Sequence, residues 1–117
     1  QISLVGHSWG PTDGVGELTE FAGYRILLSH SPEPTEFDNY VAAGYDLVLC
    51  GHFHGGQFRI PFLGGLYAPS QGLFPENDAG LVSRGDTDMV VSRGIGNSSF
   101  PLRLNNRPEV ILVILEG

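Results

Sequence analysis

With 117 residues, 41% hydrophobic and 16% charged, the chain has the makeup of a folded domain and is long enough for one hydrophobic core. Thirteen acidic against six basic residues give a net charge of −7, which argues against a nucleic-acid-binding patch or a grip on anionic lipid and suits a protein that gathers divalent cations. The single Cys50 excludes an internal disulfide, and no apolar run reaches the length of a membrane span.

In chain order, Ile2 to Val5 reads as a short strand ending at Gly6, and the start at Gln1, inside an apolar run, reads as a cut end. Tyr24 to Ser29 is a stronger strand, followed by His30. Pro32 and Pro34 remove backbone donors and break regular structure. Thr35 is then expected to cap a helix over Glu36 to Ala43, with Phe37, Tyr40 and Val41 at helical spacing and Gly44 ending it. Asp46 to Cys50 is a nearly continuous apolar run, as expected of a strand covered on both faces, where Cys50 acts as a small hydrophobe. Pro61 to Gly80, rich in Gly and Pro, reads as an irregular loop. Two later strands are expected at Met89 to Ser92 and Val110 to Leu115.

Strand, helix, strand implies a right-handed crossover between parallel neighbours whose C-terminal ends share one edge. His30 leaves the first of these strands, and His52 and His54, in Gly51-His-Phe-His-Gly-Gly-Gln57, leave the second. Three imidazoles are thereby expected at the edge where open α/β sheets bind ligands, and neutral imidazole is a common transition-metal ligand. Glycines around the pair let the backbone turn tightly enough to aim both rings into one space.

The segments LLSHSPE and YDLVLCGHFHGGQFRIPFLG, together with APSQG, VSRGIG and FPLRLNNRPEV, resemble the C-terminal half of the calcineurin-like metallophosphoesterases, in particular the YkuE-like branch. That resemblance implies an α/β fold: a β-sandwich flanked by helices, of which residues 1–117 form the C-terminal portion. It also implies two divalent metal ions (Mn, Fe or Zn) and hydrolysis of phosphomono- or diesters. By position, His30 and His52 would bind one metal and His54 the other.

The family's Asp-x-His, Gly-Asp-x-x-Asp and Gly-Asn-His motifs, which carry the bridging carboxylate, precede the strand that ends at His30, and none is present. Gly85-Asp86-Thr87-Asp88 has the wrong spacing and reads as a turn before a strand; Gly96-Asn97-Ser98 carries Ser where the family has His. The chain is thus expected to be half of an active site, inactive alone and partnered by a missing N-terminal half. The alternative is a binding or scaffolding module with a weak, histidine-only metal site.

Arg93 and Asn97 lie in a Gly-rich loop, where phosphate contact and a plain structural role both stand. Arg103 and Arg107 read as solvated or packed against the missing half, Gln57 as ordering the histidine loop, and His7 and Trp9 as structural or surface residues. Phosphomonoesters, phosphodiesters and lipid-linked phosphates all fit the resemblance, and the expected location is cytoplasmic, or membrane-associated through an upstream part.

Overall fold

The computed structural model describes residues 1–7, 22–68, 70–98 and 101–116. Strand β1 (Ile2–Gly6) pairs in parallel with β2 (Tyr24–Leu28). Helix α1 (Pro34–Ala42) then crosses over to β3 (Leu47–Cys50), parallel to β2, as the strand–helix–strand pattern requires. A single 3-10 turn, His54–Gly56, follows. Next come two small antiparallel ribbons, β4 (Arg59–Ile60) with β5 (Gly64–Gly65), and β6 (Tyr67–Ala68) with β7 (Gly72–Leu73). Finally β8 (Gly80–Arg84) and β9 (Thr87–Val91) form a hairpin, and β9 lies parallel to β3. The sheet order is β1-β2-β3-β9-β8.

The helix starts earlier than expected. Glu33 is its N-cap, without a side-chain cap, and Pro34 is in the first turn, where its missing N–H is no loss and its fixed φ suits the helix; Thr35 is therefore helical and exposed rather than capping. At the other end Ala43 N–H bonds Asn39 O, and Gly44, at φ +77°, takes the left-handed conformation that stops the helix.

One face of the sheet packs on α1. Leu27, Val48, Met89 and Val91 meet Phe37 and Tyr40 there, with Tyr45 and Cys50 completing a fully buried cluster. Tyr40 keeps its hydroxyl satisfied through Ser29 Oγ at 2.7 Å and Ser31 O at 3.1 Å. Burial pushes the Cys50 thiol up to about 12, so it behaves as the inert apolar residue its position suggested.

Two expectations are corrected and one strand is added. Val110 to Leu115 is not a strand: it alternates in exposure (Val110 85%, Ile111 37%, Leu112 82%, Val113 36%) but makes no ladder among the described residues. Its apolar pattern shows a segment suited to pairing, and a strand needs a neighbour as well as a pattern. Residues 61–80 are not wholly irregular, because they contain most of the two ribbons. Strand β8 is an addition to the expected strands, and Gly85-Asp86 between two β-prone runs is its hairpin signal; Gly85, at φ +60°, takes the first loop position.

The mixed α/β class holds. Besides the five-stranded sheet, the described residues form two two-stranded ribbons and no second large sheet. Opposite α1, Leu4, Leu28 and Leu81 remain exposed.

Candidate functional site

Because β2 and β3 are parallel and in register from Ile26↔Leu47 to Leu28↔Leu49, the residues that follow them emerge side by side. Ser29 N–H bonds Leu49 O, carrying the pairing one step further. The result is that His30 Nε2 lies 2.7 Å from His52 Nδ1, with ring centroids 4.4 Å apart. Arranged so, one nitrogen donates and the other accepts, and the two imidazoles share one proton.

His52 is half-buried. Burial first, then the neighbouring imidazoles His30 and His54, hold it below the ordinary histidine value against the opposing pull of Glu33. The neutral ring that results is the metal-ligating form. Two nitrogens on a tetrahedral ion with metal–nitrogen bonds of about 2.0–2.1 Å stand roughly 3.3 Å apart. A small opening of the pair would thus exchange the shared proton for a cation, and the two imidazoles fit part of a transition-metal coordination shell.

His54 sits one turn further on, and its Nδ1 lies 3.3 Å from Arg103 Nη2. Since guanidinium only donates, Nδ1 accepts in this arrangement. Among the described residues no group of three or more His, Cys, Asp or Glu side chains is placed to hold a metal ion.

The backbone carrying these rings is strained. His52, His54 and Gln57 have φ of +69°, +48° and +58°, each a conformation costing about 1–3 kcal/mol outside glycine. Surrounding contacts hold it. Arg59 Nη1 donates to Gly55 O at 3.0 Å and pairs with Asp78 at 2.9 Å, and Asp78 also accepts from Gly65 N–H. Gly56 packs directly on Gly65, leaving no room for a side chain. Gln57 is buried and donates to Ser98 Oγ, so it orders the loop as its sequence position suggested.

Residues 103–109 stitch this loop to the one after β9. Leu104 bridges Phe58, Asn106 donates to the carbonyls of His54 and Gln57, and Glu109 pairs with Arg93. Arg103 is not simply solvated: its guanidinium gathers the carbonyls of Arg93, Gly94 and Gly96 beside His54. A side chain with five donors finds partners in a loop whose carbonyls lack strand neighbours. Arg107, by contrast, is exposed.

Comparison with known proteins gives the arrangement its relatives. The chain is 41% identical to the phosphodiesterase YaeI of Escherichia coli K12 over 78% of its length and 32% of that protein's. It is 33% identical to an uncharacterized metallophosphoesterase, YkuE of Bacillus subtilis 168, over 92% of its length and 37% of the relative's. An uncharacterized metallophosphoesterase of Aquifex aeolicus matches at 38% over 80% of the chain and 33% of its own length. The chain belongs to the calcineurin-like metallophosphoesterase family. It spans about a third of the length of these curated relatives. No family model and no solved structure gives a match.

Within this metallophosphoesterase chain, the candidate residues fall into two groups. His30 and His52 meet, and His54 stands beside Arg103. Arg93 turns its guanidinium to Glu109, whose second oxygen accepts from Arg93 N–H, and Asn97 is exposed on its loop. His7 continues the β1–β2 pairing through its backbone N–H to Leu28 O; Trp9 lies outside the described residues. Asn106, Arg59 and Asp78 carry no motif that marks them in the sequence. They lie in the strings FRIPFLG, ENDAG and LNNRPEV, which carry no ligand spacing.

Proposed function

We propose that the chain supplies the imidazole-bearing, C-terminal part of a phosphoesterase centre with two divalent metal ions, acting on phosphodiesters in preference to phosphomonoesters. The observation that carries this reading is the His30–His52 pair, 2.7 Å apart at the C-terminal edge of adjacent parallel strands. The choice of diesters rests on similarity to the E. coli phosphodiesterase YaeI.

In this reading His30 and His52 hold one ion and His54 the other, each through a neutral ring nitrogen. When bound, the ions supply charge stabilisation to the entering and leaving oxygens of an in-line displacement. The chain's own residues bind and orient. His52 stays neutral because it is half-buried beside His30, and Arg103 holds the His54 ring by its Nδ1 edge. Bridging carboxylates come from sequence outside this chain, as does the remainder of a β-sandwich that would cover Leu4, Leu28 and Leu81.

A second reading, a binding module with a weak histidine-only site, draws support from one observation: no three-ligand group exists among the described residues. Hydrolysis of bis-p-nitrophenyl phosphate with manganese separates the two. The chain alone should be nearly inactive, whereas the chain extended by its natural upstream sequence should turn over and lose turnover in His52→Ala. An extended protein that binds manganese but never hydrolyses the diester or p-nitrophenyl phosphate would favour the module.

A further inference from the structure

Three left-handed, non-glycine residues within six positions make the histidine turn an arrangement that its own sequence does not favour, and such backbone persists only where its surroundings hold it. One side chain ties the two ends of that turn together. Asn106 Nδ2 donates to His54 O at 2.5 Å and to Gln57 O at 3.1 Å, using both amide hydrogens on the carbonyls that flank the two glycines. Asn106 is 3% exposed, and its Oδ1 is buried with no hydrogen-bond partner among the described residues. A carboxamide buried at half its bonding capacity is costly, and an apolar side chain would suit mere packing better. What the asparagine adds is the pair of donors. Its amide also fills the space over Gly55: a Cβ there would stand 2.6 Å from Oδ1.

We infer that Asn106 is a positioning residue for the metal-binding histidines. By clamping the carbonyls of residues 54 and 57 it keeps His54 at positive φ and so fixes where the His52 and His54 rings stand relative to His30. Its purpose rests on the phosphoesterase reading; the clamp itself does not. Arg59 grips only Gly55 O, in the middle of the turn, and Arg103 touches the ring of His54 rather than the turn's backbone, so neither spans the turn from end to end.

The test uses the full chain with 15N in its histidine rings and zinc alone as probe. In Asn106→Ala and Asn106→Ser the ring signals of His52 and His54 should shift, and zinc binding should weaken by roughly 10–100-fold, as loss of a ligand's supporting partner does elsewhere. The amide signals of α1 and of the β8–β9 hairpin should keep their places. Asn105→Gly, an exposed neighbour, should change neither readout. Unmoved His52 and His54 rings in a folded Asn106 variant overturn the inference. If both variants lose the hairpin signals, hydrogen exchange in the unaltered chain decides. Asn106 side-chain amide protons protected like those of the β3 backbone support the clamp, and exchange as fast as that of Asn105 overturns it. Rings that move in a chain that holds no zinc uphold the clamp, and turnover of bis-p-nitrophenyl phosphate by the extended protein then decides the phosphoesterase reading separately.

Discussion

His30 Nε2 and His52 Nδ1 lie 2.7 Å apart although 22 residues separate them in the chain, because two parallel strands in register deliver them to the same edge. Zinc titrated into the chain should therefore engage both rings. Calorimetry is expected to show weak binding, since among the described residues no carboxylate joins the group, and His30→Ala or His52→Ala should each lower affinity about tenfold or more through loss of a direct ligand. His7→Ala should leave it unchanged. Equal affinity in all three variants would place the metal elsewhere.

Two glycines at similar positive φ should respond differently to alanine. Gly44 (φ +77°) would bring its Cβ within 2.6 Å of Arg25 Nη2, the end of a long, flexible side chain whose other guanidinium nitrogen reaches Ala43 O, whereas Gly56 (φ +72°) would meet Gly65 Cα at 2.5 Å. Gly44→Ala should cost only the left-handed penalty of about 1–2 kcal/mol. Gly56→Ala should add about 1–3 kcal/mol because backbone must move. Urea unfolding measures the difference, and near-equal losses would mean that the turn and β5 are loosely packed.

The pair Arg93–Glu109 joins the loop after β9 to the segment that clamps the histidine turn. Hydrogen bonding from Arg93 holds the Glu109 carboxyl below its ordinary value, against the opposing effect of burial. A depressed folded-state pKa means a contribution present in full above the unfolded carboxylate value, near 4.3, and lost as pH falls through the lower folded value. Glu109→Gln should thus cost about 1–2 kcal/mol at pH 7, and the gap from the unaltered protein should close on acidification below about pH 4. A gap that is constant from pH 7 to pH 3 would show that the carboxylate charge contributes nothing.

Phe37 is fully buried between α1 and the sheet, and Arg84 lies 4.9 Å above its ring. Phe37→Ala should destabilise the chain by about 3–5 kcal/mol, as large-to-small core replacements do. Thr35→Ala, once α1 is known to begin at Pro34, should change stability by less than about 0.5 kcal/mol. Thermal melts of the two variants check both, and a large effect at Thr35 would restore it as the helix cap.

Much of the α1 side of the molecule could be read from residue order alone. Continuous apolar runs at Tyr24 to Leu28 and Leu47 to Cys50, with helical spacing of Phe37 and Tyr40 between them, specify strand, helix and strand, because periodicity reflects which side chains must leave water. Handedness then makes the two strands parallel, and the positions of His30, His52 and His54 at their ends follow from chain connectivity. Glycines in GHFHGGQ likewise announce a tight turn. What tertiary structure alone decided is everything that depends on a partner distant in the chain. Val110 to Leu115 has a strand's pattern but finds no neighbour to pair with among the described residues, so its pattern by itself makes no ladder. Arg103 turns inward because the carbonyls of residues 93, 94 and 96 surround it, a fact of loop shape that no local spacing encodes. Asn106 becomes a clamp for the same reason: its two donors acquire meaning only when the chain returns, 49 residues later, to the carbonyl of Gln57.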